Sequence, residues 1–147
     1  MEKSFDAELI RIIGFFEEFT TASVKDAFYD DNQKLTFIVQ PGNIGKAVGK
    51  NATMLKKVED KLGKRIRVAE FTDDKLAFIR SLVSPLTLVR IEEDEDTGII
   101  TLEGKDEKTT GLLIGKHARN LRNLENMVRR YMPCEEIRVV EEPRVQQ

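Results

Sequence analysis

Val48-Gly49-Lys50-Asn51-Ala52 returns 66 residues later as Ile114-Gly115-Lys116-His117-Ala118. In each copy a short apolar segment precedes the glycine, Ile44 to Val48 in the first and Leu112 to Ile114 in the second. An amphipathic run follows, with Leu55, Val58 and Leu62 or Leu121, Leu124 and Val128 at spacings of three and four, the period of a helix with one apolar face. The glycine therefore reads as a tight loop between two helices, made twice. A residue without a side chain lets backbone come close to a ligand, and the lysine after it suggests that the ligand is negative.

Working outward, the elements around each loop also match. Phe5, Leu9, Ile12, Ile13, Phe16 and Phe19 form one helical stripe, and Ser23 to Tyr29 and Leu35 to Val39 flank the polar turn Asp30-Asp31-Asn32-Gln33 as a hairpin. The first short helix opens at Ile44, and the second runs from Thr53 to Leu62, where Gly63 is placed to cap it. Arg65 to Ala69 is a third strand. The same order then repeats, with a helix from Lys75 to Val83 stopped by Pro85. Leu86 to Ile91 and Ile99 to Leu102 make a second hairpin, and the loop helices lead to a strand at Ile137 to Val140. The expected organisation is two domains, 1–70 and 71–147, with almost no linker between them.

Charge follows the repeat. The net charge is −2 over 147 residues, yet 46–67 carry 8 Lys/Arg against 2 Asp/Glu and 115–130 carry 5 against 1. Positive charge is thus confined to the two helix-loop-helix segments, a pattern that one solvated helix face would not produce twice. The acidic stretch Glu92 to Asp96 lacks the alternating ligand spacing of a calcium loop and reads as a solvated hairpin tip. With one cysteine, Cys134, and one histidine, His117, neither an intramolecular disulfide nor a Cys/His metal site is available. No metal or other cofactor is expected. No stretch approaches the roughly 20 apolar residues of a membrane span and no leader-like start is present, so a cytoplasmic protein is expected.

Nucleotide-binding motifs are excluded by spacing. A P-loop requires a glycine five residues before Gly-Lys and a Ser or Thr after it, but those positions hold Ile44 and Asn51 in one copy and Thr110 and His117 in the other. No GxGxxG is present. An enzyme is not expected either, because no nucleophile, base and orienting group form a recognisable set.

A glycine loop between two helices, with a strand close behind to meet unstacked bases, resembles the KH domain, in which a GXXG loop clamps about four nucleotides of single-stranded RNA. The unit order helix-strand-strand-helix-helix-strand resembles the type II arrangement, and the tandem pair resembles the KH pair of NusA. Over residues 3 to 140 the chain is similar to the short archaeal NusA-like transcription factors. The segments carrying this resemblance are Ile12-Ile13-Gly14-Phe15-Phe16-Glu17 with Ala22-Ser23-Val24-Lys25-Asp26, then Asn43 to Asn51, and Leu112 to Leu121. The implied fold is α+β, two tandem type II KH domains, each a small three-stranded mixed sheet covered by three helices. The implied function is single-stranded RNA binding in transcription elongation or termination, with RNA polymerase as a further candidate partner. A monomer is expected, since the repeat already supplies an intramolecular pair.

The candidate RNA contacts are Gly49, Lys50, Asn51 and Ala52, then Gly115, Lys116, His117 and Ala118, with Lys46, Lys56, Arg119 and Arg122 beside the loops and Arg67 and Arg138 on the third strands. One departure from the family pattern occurs in each copy, where alanine replaces the last glycine. The expectation is that Ala52 and Ala118 begin the following helix with negative φ, in which case alanine costs nothing and the clamp survives. The alternative is that the phosphate needs the room of a missing side chain, in which case the added methyl weakens the clamp. Two rival readings are a KH protein of the ribosome or of RNA processing, and a protein-interaction scaffold whose clamps have decayed.

Overall fold

The computed structural model describes residues 2–141, with side chains described from Ala7 onward. The Phe5 side chain of the expected stripe and the tail from 142 lie outside the described residues. Contacts divide the chain into two compact units, Met1–Thr72 and Asp73–Gln147.

The first unit begins with α1 (Glu2–Thr20), followed by β1 (Val24–Tyr29) and β2 (Leu35–Val39). Then come α2 (Ile44–Val48), α3 (Thr53–Leu62) and β3 (Ile66–Glu70). β1 pairs antiparallel with β2, and β2 pairs parallel with β3, so β2 is central and β3 an edge. All five residues of β2 are buried, as expected for a middle strand covered on both faces. The apolar stripe of α1 closes onto this sheet through Phe16, whose ring stacks on Phe37 with centroids 4.0 Å apart. Ala47 of α2 and Val58 of α3 complete the core from the loop side.

The second unit repeats the order with α4 (Lys75–Val83), β4 (Leu88–Glu93), β5 (Ile100–Gly104), α5 (Glu107–Ile114), α6 (Arg119–Arg129) and β6 (Ile137–Val139). Its sheet has the same topology, β4 antiparallel to β5 and β5 parallel to β6. Even a register shift near the start of the first strand recurs, between Val24 and Asp26 and between Leu88 and Arg90. β4 starts two residues later than the periodicity suggests, because the Leu86 N–H turns back to the Val83 carbonyl at 2.9 Å. Phe78, Ile79 and Leu82 of α4 are buried, as are Ile100, Leu102 and Ile137 of the sheet. Asp74 and Asp106 cap α4 and α5 by accepting from first-turn amides. At Asp106, hydrogen bonds from the Thr109 side chain and backbone hold the carboxyl below its ordinary range.

Each unit is thus an α+β body with a three-stranded mixed sheet. Among the described residues no helix is long and apolar enough to cross a membrane, and no group of three or more His, Cys, Asp or Glu is placed to hold a metal ion.

Candidate nucleic-acid interface

The two loops have the same backbone to within a few degrees. In the first, Gly49 lies at φ 78°, ψ 172°, Asn51 at 56°, 32° and Ala52 at 60°, 25°, before Thr53 turns helical. In the second, Gly115 lies at 74°, 172°, His117 at 56°, 34° and Ala118 at 59°, 23°, before Arg119 turns helical. The glycine amide closes the preceding helix, Gly49 N–H to the Gly45 carbonyl at 2.9 Å and Gly115 N–H to the Gly111 carbonyl at 2.8 Å. Its own carbonyl accepts from the alanine three residues on, at 3.2 Å and 3.1 Å. A one-turn knot results, and its geometry requires glycine at the first position, because positive φ with extended ψ is all but closed to other residues.

No side chain caps α3 or α6, unlike the two aspartate-capped helices α4 and α5. The first-turn amides of both post-loop helices therefore carry the positive end of the helix with no built-in acceptor, the condition under which an anion is attracted.

The alanines are where the sequence-based expectation fails. Ala52 and Ala118 do not start the helix with negative φ; both are left-handed. Two consecutive left-handed residues swing the chain through the knot before the helix can begin, so alanine here carries the strain of its Cβ instead of a helical preference. Ala52→Gly and Ala118→Gly are each expected to stabilise the protein by about 0.5–1 kcal/mol after allowance for the floppier unfolded chain, measured by denaturant unfolding. A destabilisation would mean that the left-handed geometry is not held in solution.

No family model matches the chain. The probable transcription termination protein NusA of Methanocaldococcus jannaschii is 29% identical over 140 residues, covering 92% of this chain and 74% of that protein. The NusA homologue of Halococcus morrhuae, bearing the same name, is 26% identical over 128 residues, 87% of this chain and 91% of its own. That of Methanococcus vannielii is 38% identical over 88 residues, which span 60% of this chain and 50% of that protein. Over most of its length the chain is thus similar to archaeal proteins named as probable NusA. A solved chain described as the crystal structure of APE1850 shares its fold, with a TM-score of 0.63, 22% identity and coverage of 89% and 96%.

Within the chain the candidate residues are not equivalent. Lys46, Lys50 and Lys56 are exposed around the first loop, and none of them has an ion-pair partner among the described residues. Lys116, His117 and Arg119 are similarly exposed around the second. Arg122, by contrast, donates to Glu125 at 2.7 Å. On the edge strands, Arg67 is committed to the protein interior. Its guanidinium reaches Asp30, whose side chain is wholly buried, at 2.5 Å and Thr36 Oγ1 at 3.3 Å. Arg138 stands more open and pairs with the exposed Glu136. That hydrogen bond lowers the Glu136 carboxyl and raises the arginine.

Sequence reasoning missed three features of the site. Glu59 and Glu125 each accept the first amide of the edge strand, Ile66 N–H at 3.0 Å and Ile137 N–H at 2.7 Å, and so tie the post-loop helix to that strand. Their signal was present, since both stand ten residues after the loop glycine as rare acids in a basic segment. Asn120 donates from Nδ2 to the Leu112 carbonyl at 2.8 Å, closing the end of α5 from the start of α6. Leu112 itself is 49% exposed, one helical turn before Gly115. Nothing local distinguishes it from a core leucine.

Proposed function

We propose that the chain consists of two tandem type II KH domains, 1–70 and 71–147, and binds single-stranded RNA during transcription elongation or termination. The carrying observation is the pair of glycine knots with matching dihedrals, both uncapped by side chains and both set in basic segments. Such a knot offers backbone amides and lysines to phosphates while leaving bases to the adjoining edge strand, and each would hold about four nucleotides. The parallel pairing of the last two strands in each sheet supports the type II reading, and the name of the archaeal relatives supports transcription as the setting. On this reading the protein works by binding in the cytoplasm, without cofactor, as a monomer with RNA and RNA polymerase as partners.

The test is titration with single-stranded RNA of mixed sequence at two salt concentrations, for the parent and for the variant with Lys50, Asn51, Lys116 and His117 all changed to aspartate. The parent should bind with an affinity that falls as salt rises, and the still-folded variant should lose at least about a hundredfold. The methyls of Ala52 and Ala118 favour a second reading, a scaffold whose clamps no longer admit phosphate. Equal RNA affinity of parent and variant would put the RNA site away from the loops, and absence of RNA binding in both would sink the RNA reading and leave the scaffold.

A further inference from the structure

Because the loop backbones match, an offset of 66 residues pairs the positions of one loop and its flanking turns with those of the other, although on that offset α5 begins three residues earlier than α2 does. Lys46 corresponds to Leu112, Asn51 to His117, Thr53 to Arg119, Lys56 to Arg122 and Lys57 to Asn123. Over 46–57 the first unit presents four lysines, Lys46, Lys50, Lys56 and Lys57, all exposed and without an ion-pair partner among the described residues. The second keeps two such cations, Lys116 and Arg119, because Arg122 is drawn to Glu125 at 2.7 Å and Asn123 is buried. In place of the lost charge it offers an exposed leucine and an exposed imidazole. Leu112 is held at the knot by the Asn120 bond to its carbonyl, and together with the His117 imidazole it gives this loop an apolar and an aromatic side chain on which an unstacked base can pack.

Resting on the RNA reading above, we infer that the two clamps divide the work. The first grips the phosphodiester backbone by charge, and the second holds unstacked bases against Leu112 and His117. Charge contacts release counterions, so each contributes about −0.7 to the slope of log affinity against log salt on a single strand. Four contacts imply a slope of about −2.8 for the first clamp and two imply about −1.4 for the second. Between about 50 and 200 mM salt the first should weaken about 50-fold and the second about 7-fold. Stacking on side chains is nearly indifferent to salt and requires a base.

The experiment uses the full chain with one loop silenced at a time, Lys50→Asp with Asn51→Asp, or Lys116→Asp with His117→Asp. Each is titrated with a mixed-sequence single-stranded RNA and with an abasic oligonucleotide of equal length. The chain retaining the first clamp should show the steep salt slope and bind the abasic strand within about twofold of the RNA. The chain retaining the second should show the shallow slope and lose about tenfold or more on the abasic strand. Adding Leu112→Lys to the latter should steepen its slope, and adding Lys46→Leu to the former should flatten it. Loop-dependent binding with equal slopes and equal abasic ratios overturns this division while leaving RNA binding intact. Binding that survives the silencing of both loops puts the RNA site elsewhere and overturns the division, and absence of RNA binding by the parent overturns the RNA reading itself.

Discussion

Gly49→Ala and Gly115→Ala are each expected to destabilise their unit by about 3 kcal/mol. Positive φ with extended ψ is one part of the cost, since only glycine occupies that region freely. The other part is steric. A Cβ on Gly49 would stand 2.9 Å from both the backbone nitrogen and the Cβ of Met54, so α3 itself would have to move. A Cβ on Gly115 would stand 2.6 Å from Asn120 Cγ and 2.7 Å from Nδ2. Turning that amide aside would give up its bond to the Leu112 carbonyl, and rotation cannot move the Asn120 Cβ, which would itself stand 2.9 Å away. Hence both post-loop helices would have to shift, and the two losses should be alike. Gly111→Ala is the control, because nothing lies within 4 Å of the added methyl and the site is inside α5, where alanine is preferred. Denaturant unfolding, with amide exchange of α3 and α6 as a local readout, measures all three. Losses below about 0.5 kcal/mol at both loop glycines would mean that the knot is not maintained in solution.

Removing the Glu125 carboxylate should cost the second unit about 2–3 kcal/mol. The side chain is 3% exposed and meets three donors, the Ile137 N–H at 2.7 Å, Arg122 at 2.7 Å and Arg129 at 4.0 Å. In Glu125→Ala the arginines, which are partly exposed, can return to water. The Ile137 amide cannot, because that residue is wholly buried, and an orphaned buried donor carries the larger share of the cost. Glu125→Gln keeps an acceptor for the amide and should recover about half of the loss. Glu59→Ala removes the same strand contact from a less buried position and should cost about 1 kcal/mol. The comparison is made by denaturant unfolding; an alanine variant of Glu125 as stable as the parent would show that the amide is satisfied in another way.

The two units, their element order and the two loops were legible because each depends on information a few residues long. Helical stripes such as Leu9-Ile13-Phe16 and the Thr53–Leu62 helix carry their own period, Gly63 and Pro85 punctuate it, and Lys46 to Arg67 concentrate charge without reference to the rest of the chain. What failed is instructive. The prior for alanine before a helix is negative φ, which made Ala52 and Ala118 look harmless. Both adopt left-handed geometry because the glycine three residues earlier has already committed the chain to a knot.

Arg67 shows the same limit at longer range. Its sequence neighbours, a basic strand after a basic helix, suggest a phosphate contact. Its partner is Asp30, 37 positions away in the β1–β2 turn, brought within 2.5 Å by the parallel pairing of β2 with β3. The inert reading of Arg122 depends likewise on Glu125 having been drawn inward by an amide of β6.

By itself, then, the sequence determined that there are two like units, where their loops lie and that those loops are basic, because periodicity, punctuation and charge are written in neighbouring residues. Tertiary structure alone decided the sign of φ at the two alanines, which cations stay free and which are tied to buried carboxylates, and that Leu112 is left in water while Leu113 beside it is buried. Those outcomes depend on which strands pair and which helix face is covered, and a contact between residues far apart in the chain leaves no local pattern from which to read it.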